Sequence, residues 1–177
     1  HLSIRRQRQM CIRDSRAQVQ AGAARVPFNH DLADVLEVFR PPVVSFHFGL
    51  PAPDLLARVK SWGSLVMSSA TTVPEALWLQ AHGADAVIAQ GLEAGGHRGM
   101  FLTDDLTTQM GTLALLPQIV QAVSVPVIAA GGIASAAGVA AAQALGASGV
   151  QIGTAYLCSH EATTSALHRA ALQSPDA

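Results

Sequence analysis

Charge is scarce in this sequence. Only 13% of its 177 residues are Asp, Glu, Lys or Arg, and half are hydrophobic. A disordered chain needs the opposite balance, so an extended solvated polymer is excluded. The charge that is present nearly cancels, since 11 Lys and Arg against 12 Asp and Glu leave −1 at pH 7. No field of one sign exists to attract nucleic acid or an anionic membrane. Cysteine is almost missing too. Cys11 and Cys158 are the only two, too few for a disulfide framework, and a reducing, cytoplasmic setting is expected. Aromatic residues make up 5%. Their scarcity, with abundant Ala and Gly, favours close helix-on-strand packing over an all-β sandwich.

Other absences narrow the function. The longest weakly polar stretch, residues 123–150, is interrupted by Pro126, Gln143 and several Gly and Ser residues, so no membrane span is expected. The basic N-terminus has no apolar run behind its charges and does not read as a signal peptide. No His-x-x-x-His or Cys-x-x-Cys pair occurs, which argues against a structural metal site. No G-x-S-x-G elbow surrounds Ser68 and Ser69. Nothing marks an oligomeric state.

Residues 1–15 differ from the rest. They hold four of the 11 basic residues and show no usable hydrophobic period. The run Met10–Ser15 resembles the conceptual translation of an adapter sequence used in DNA library preparation. A basic tail is the alternative. The expected organisation is a non-native tail over 1–15 and one partial domain over 16–177.

From Arg25 onward a regular pattern begins. Strands are expected at Val43–Phe48, Ser64–Ser69, Ala86–Ala89, Val125–Ala130 and Gly149–Gly153. Helices are expected at Asp31–Phe39, Pro53–Trp62, Pro74–His82, Thr112–Val123, Ala136–Leu145 and once more after Cys158. Alternation of this kind gives βαβ units and a parallel sheet. The punctuation agrees. Thr72-Val73-Pro74-Glu75 has capping-box spacing, and Gly83 and Gly146 stand where left-handed helix caps belong. Val125–Ala130 is apolar without alternation, as a strand covered on both faces should be. Strand starts recur at roughly 20-residue intervals, the period of a (β/α) barrel or a doubly wound sheet. One interval is longer and holds the glycine-rich segment Gly91–Thr112. Five units do not close an eight-stranded barrel, so the pattern fits a smaller open sheet or the C-terminal part of a barrel.

Three segments carry candidate chemistry. Gln90–Gly99 follows a strand and contains Gly95, Gly96 and His97. Its glycines let backbone N–H groups approach a ligand closely. Imidazoles ordinarily titrate near ~6.5, which suits a general base, and a solvated loop histidine is the alternative. Gly131-Gly132 and Gln151-Ile152-Gly153-Thr154 end two successive strands. Paired strand-end turns beside a helix start can hold a phosphate. Ser45-Phe46-His47-Phe48-Gly49 places His47 on a strand face shared with Ser45 and Gly49, either as a core residue or at an active-site mouth. His82, His160 and His168, expected on helices, lack partners at metal spacing. Cys158 reads as a small buried hydrophobe.

These blocks add up to a family resemblance. The chain from Val43 to about Leu172 resembles nitronate monooxygenase, formerly 2-nitropropane dioxygenase, a family of FMN-dependent TIM barrels. The matching blocks are SFHFGLP at 45–51, VMSSATTVPEA at 66–76, AVIAQGLEAGGHRG at 86–99, LLPQIVQAVSVPVIAAGGI at 115–133 and GASGVQIGTAYL at 146–157. The resemblance implies an α/β barrel represented here by about strands 4–8. It implies His97 as the active-site base and His47 in the substrate pocket. It implies FMN held by Gln90, Gly95 and Gly96, with Gly131, Gly132, Gln151, Ile152, Gly153 and Thr154 around its phosphate. The implied enzyme oxidises alkyl nitronates, such as propionate 3-nitronate, with O2 to a carbonyl compound and nitrite, and this chain is expected as a fragment of it. Ala134-Ser135 stands where the family usually has an Asp and often an Arg. Two rival readings are an FMN- and NADH-dependent enoyl-acyl-carrier-protein reductase and an inert phosphate-binding remnant. The first shares the Gly-Gly-His loop, but SFHFGLP and GGHRG favour the monooxygenase.

Overall fold

The computed structural model describes residues 26–174, so the expected tail at 1–15 lies outside the described residues. Helix α1 (His30–Phe39) leads into β1 (Val43–Phe46). Then follow α2 (Pro53–Ser61), β2 (Leu65–Ala70), α3 (Val73–Ala81), β3 (Ala86–Gln90), α4 (Thr112–Ala122), β4 (Val127–Ala130), α5 (Ala136–Ala144), β5 (Gly149–Gln151) and α6 (Ala166–Leu172). Single 3-10 turns lie at Leu106–Thr108 and Thr154–Cys158. All five expected strands are present; β1, β4 and β5 are shorter than expected, β2 is shifted by one residue and β3 runs one residue further to Gln90. β4 starts only after Pro126, which has no N–H to give a ladder. β5 stops at Gln151 because the chain coils from Thr154 into a 3-10 turn.

The sheet is parallel throughout, and its order is β1-β2-β3-β4-β5. A doubly wound sheet reverses direction at a switch point. This one never does, so it is an arc of a (β/α) barrel. Pairing fixes two faces. Val44, Val66, Val87, Ala89, Val127 and Ala129 alternate onto the helix side and are buried. Leu79 of α3 and Leu115, Leu116 and Ile119 of α4 complete that core, each without solvent exposure. A smaller cluster, Val44, Val59 and Val66, seats α2 on β1 and β2. The opposite face is the concave one. There Val43 and Leu65 pair in register and remain exposed, while Ser69, Gln90 and Gln151 lie near the C-terminal ends of their strands.

The helix caps show how local sequence sets the strand-to-helix turns. Thr72 accepts a hydrogen bond from the Glu75 amide at 3.4 Å, and Ser135 accepts one from the Gly138 amide at 3.2 Å. The reciprocal half of the expected capping box is not formed. The Glu75 side chain turns inward instead and takes the Thr71 amide and hydroxyl, both at 2.7 Å. No helix among the described residues is long and apolar enough to cross a membrane.

Candidate active site

Barrel sheets present their loops at the C-terminal ends of the strands, and the candidate residues gather there. β1 ends at Phe46, one residue before His47. Phe48 and Gly49 follow with φ of 65° and 88°, so the chain turns off the strand and the expected shared face does not extend to Gly49. His47 itself still reaches the concave face. Its Nδ1 lies 3.0 Å from Ser69 Oγ, and its Nε2 lies 3.1 Å from the His97 carbonyl oxygen.

The loop after β3 is glycine-rich yet held from several sides. Gln90 donates from Nε2 to the His97 carbonyl at 3.0 Å and accepts the Gly99 amide on Oε1 at 2.7 Å. Because one partner is a pure acceptor and the other a pure donor, the amide has one orientation. Arg98 folds back, giving Nη1 to the Gly91 carbonyl at 2.6 Å and Nη2 to the Leu92 carbonyl at 2.7 Å. Glu93 crosses to the start of α4, whose N-cap position is Gly111 with no side chain to cap it. Its Oε2 accepts the Thr112 amide at 2.8 Å and the Thr112 hydroxyl at 2.9 Å. A carboxylate at a helix N-terminus meets unpaired N–H groups and the positive end of the dipole. Close approach makes this joint possible, since a Cβ at Gly91 would lie 1.9 Å from Thr112 Oγ1.

This carboxylate joint carries a pH signature. Burial pushes the Glu93 carboxyl up, but hydrogen bonds from its own amide and from Thr112, with the nearby Arg98 charge, outweigh burial and leave it below its ordinary 4.5. An acid depressed on folding adds stability above its unfolded value and loses it as pH falls through the folded one. The stability gap between the parent chain and Glu93→Gln is therefore expected to be fully open above pH 4.5 and to close on further acidification. Urea melts of both chains across that range check it. A gap of constant size would show that the Glu93 charge is not what holds the joint.

The turns expected to hold a phosphate lie on adjacent strands. Ala130 pairs with Gln151, so the turn after β4 sits beside the turn after β5. Gly131 and Gly132 have φ of 120° and 66°, a left-handed pair that side chains rarely adopt. A Cβ on Gly131 would also lie 2.9 Å from the Ala94 amide nitrogen. The loop after β3 closes the third side, because a Cβ on Gly95 would lie 3.3 Å from Thr154 Oγ1. The amides of Gly132, Gly153 and Thr154 donate to none of the described residues. Free N–H groups on these two adjacent turns, beside the Ser135-capped start of α5, are donors of the kind that bind an anion. The donor set and the room left by the glycines fit a phosphate monoester such as that of FMN. Ile152 joins β5 to the turn after it, and Gly96, with φ of 78°, meets open space.

His97 stands at the centre of the loop. Its ring lies edge-on to Phe48, centroids 6.1 Å apart, and accepts or donates no hydrogen bond among the described residues. Its backbone is held while its imidazole has no hydrogen-bond partner among the described residues. The structure thus unites His47, Gln90 and His97 in one network and Gly95, Gly131, Gly132 and Thr154 in another.

Comparison with known proteins places this geometry. The family model for nitronate monooxygenase matches residues 7–177. The chain belongs to the nitronate monooxygenase family. A nitronate monooxygenase of Paraburkholderia phytofirmans is 47% identical over 146 residues, covering 80% of this chain and 40% of the relative. Among solved structures, nitroalkane oxidase from Streptomyces ansochromogenes superposes with a TM-score of 0.76 at 45% identity, over 81% of this chain and 42% of that one. A FabK variant from Thermotoga maritima gives 0.71 at 36% identity, over 83% and 46%. The chain therefore spans about 40% of the length of the curated relative, and its sheet is five strands of a TIM barrel.

Several supporting residues have no short-range signature. Ser69, Glu75, Glu93 and Thr112 find partners 4 to 27 residues away. Arg98 was visible only as part of Gly-Gly-His-Arg, although a lone cation in a glycine loop of a charge-poor chain is a cue for carbonyl chelation. Other expectations need correction. His82 is the cap after α3, not inside it, and stacks on Trp78 at 3.9 Å. His160 lies in a turn rather than a helix, because α6 begins only at Ala166. Cys158 is half-buried at the end of a 3-10 turn, not a core residue. Cys11 lies outside the described residues.

Proposed function

We propose that this chain belongs to an enzyme that uses FMN and O2 to oxidise alkyl nitronates, propionate 3-nitronate among them, to a carbonyl compound and nitrite. The observation that carries the reading is the pairing of a ligand-free His97 ring with a set of free amides on the turns after β4 and β5, whose third side is closed by the His97 loop. Gly132, Gly153 and Thr154 amides would hold the FMN phosphate. Gln90, Gly95 and Gly96 would line the flavin, and Gln151 and Ile152 set the second turn through β5. Bound FMN would supply the electron acceptor for the nitronate, with O2 as final oxidant.

This chain's residues do the remaining work. His97 takes a proton from the carbon next to a nitro group, so that a neutral nitroalkane becomes the nitronate in place. His47, which holds the His97 carbonyl, and Phe48, edge-on to the His97 ring, stand beside it and would orient the alkyl group. The proposed setting is cytoplasmic, in keeping with only two cysteines.

The test is direct. The 177-residue chain is mixed with excess FMN, desalted and examined for bound flavin absorbance. It is then given an alkyl nitronate while O2 uptake and nitrite release are followed. Retained flavin with stoichiometric nitrite is the expected result. Flavin that bleaches with NADH and yields no nitrite from the nitronate would establish the reductase reading instead. Flavin retained without either reaction would leave the phosphate-binding remnant.

A further inference from the structure

Ser69 takes no part in the function proposed above, yet it touches the network that holds His97. It lies near the C-terminal end of β2 on the concave face and is 6% exposed. Its Oγ is 3.0 Å from His47 Nδ1, while His47 Nε2 is 3.1 Å from the His97 carbonyl oxygen. A carbonyl oxygen can only accept, so Nε2 must carry the proton. In a neutral ring Nδ1 is then a bare acceptor, and only the Ser69 hydroxyl can donate to it.

The consequence runs to His97. Its carbonyl receives two donors, His47 Nε2 at 3.1 Å and Gln90 Nε2 at 3.0 Å. Both lone pairs are engaged, which resists rotation of the peptide plane between His97 and Arg98. Gly99 shows how closely these groups are packed. A Cβ there would lie 2.7 Å from His47 Cε1, 3.0 Å from Ser69 Cβ and 3.1 Å from Gln90 Oε1. One edge of the His47 ring is therefore packed close against Gly99.

We infer that Ser69 is a positioning residue: its hydroxyl fixes the Nε2–H tautomer of His47, and His47 in that form holds the His97 carbonyl and so aims the His97 ring. The role of the aimed ring rests on the function proposed above. The tautomer does not, and this separates the two in experiment.

The measurement is ¹⁵N NMR of the histidine rings of the whole chain at about pH 8, where a free imidazole is neutral. A neutral ring shows one protonated and one bare nitrogen at well-separated shifts. His47, assigned by its loss in His47→Asn, is expected to carry its proton on Nε2 alone. In Ser69→Ala it is expected to become a mixture with the Nδ1–H form. An Nδ1–H or doubly protonated His47 in the parent chain overturns the inference. So does a Ser69→Ala ring that stays wholly Nε2–H. With the FMN-loaded protein and a nitroalkane, Ser69→Ala is expected to lower kcat about tenfold and leave KM within about twofold. A shifted tautomer with unchanged turnover would overturn the positioning role. A chain with no turnover in the parent would remove the proposed reaction while the ring spectra still decide the tautomer.

Discussion

Replacing Glu75 by alanine is expected to destabilise the chain more than any other single polar substitution in the region. Glu75 has no solvent exposure. One oxygen accepts the Thr71 amide and hydroxyl, and the other accepts the Phe101 amide at 2.7 Å and the Leu102 amide at 3.2 Å. Every partner is a donor, so only an acceptor-only group matches the set. Truncation leaves buried donors unpaired and opens a void, and losses of this kind cost about 3–5 kcal/mol. For a domain of this size that is a fall in Tm of roughly 10 °C. Glu75→Gln tests the acceptor argument. Its amide NH2 would face either Thr71 or the Phe101–Leu102 amides, donor against donor, so shape alone gives little relief. Thermal melts of the three chains decide it, and a glutamine variant as stable as the parent would sink the account.

Glu75 also joins distant parts of the site. Phe101, held through its amide, packs edge-on to Trp78 at 5.1 Å, and a Cβ on Gly49 would lie 3.3 Å from its ring. The turn carrying His47 and Phe48 thus leans on a residue positioned by a helix-start carboxylate. Loss of Glu75 should loosen both loops together.

What the sequence disclosed and what it hid follow from one physical difference. Helix caps, strand-end glycines and apolar strands are local, because the groups that satisfy them lie within a few residues. Thr72 and Ser135 cap as their spacing requires, and Gly83 and Gly146 take φ of 99° and 96°. The barrel arc was legible to the extent that parallel βαβ units were, but period alone could not separate it from a doubly wound sheet. Strand order did. The side chains that stiffen the site were hidden because their partners are remote. Glu75 looked like the second half of a capping box and is instead a bridge across 26 residues to Phe101. Glu93 looked like one charge in a glycine loop and is the missing cap of α4. The end of β1 was misjudged for a related reason. The alternation of Ser45, His47 and Gly49 reads as a strand, and only the left-handed Phe48 shows that the ladder has stopped.

Substituting His97 by asparagine is expected to separate two chemistries that share one product. Both hydrogen bonds to this residue involve its backbone carbonyl, so the side chain can be changed without releasing His47 or Gln90. A neutral nitroalkane must lose a proton from carbon before it can be oxidised, and a positioned base contributes about 10²–10⁴-fold to such a transfer. A preformed nitronate has already lost that proton. For the FMN-loaded His97→Asn protein, kcat with the nitroalkane should therefore fall by about 10²–10⁴-fold. With the matching nitronate, the fall should stay below about tenfold, the scale of one lost hydrogen bond. Stopped-flow oxidation of paired nitroalkane and nitronate substrates measures the split. Equal losses on both would assign His97 to binding the nitro group rather than to moving the proton.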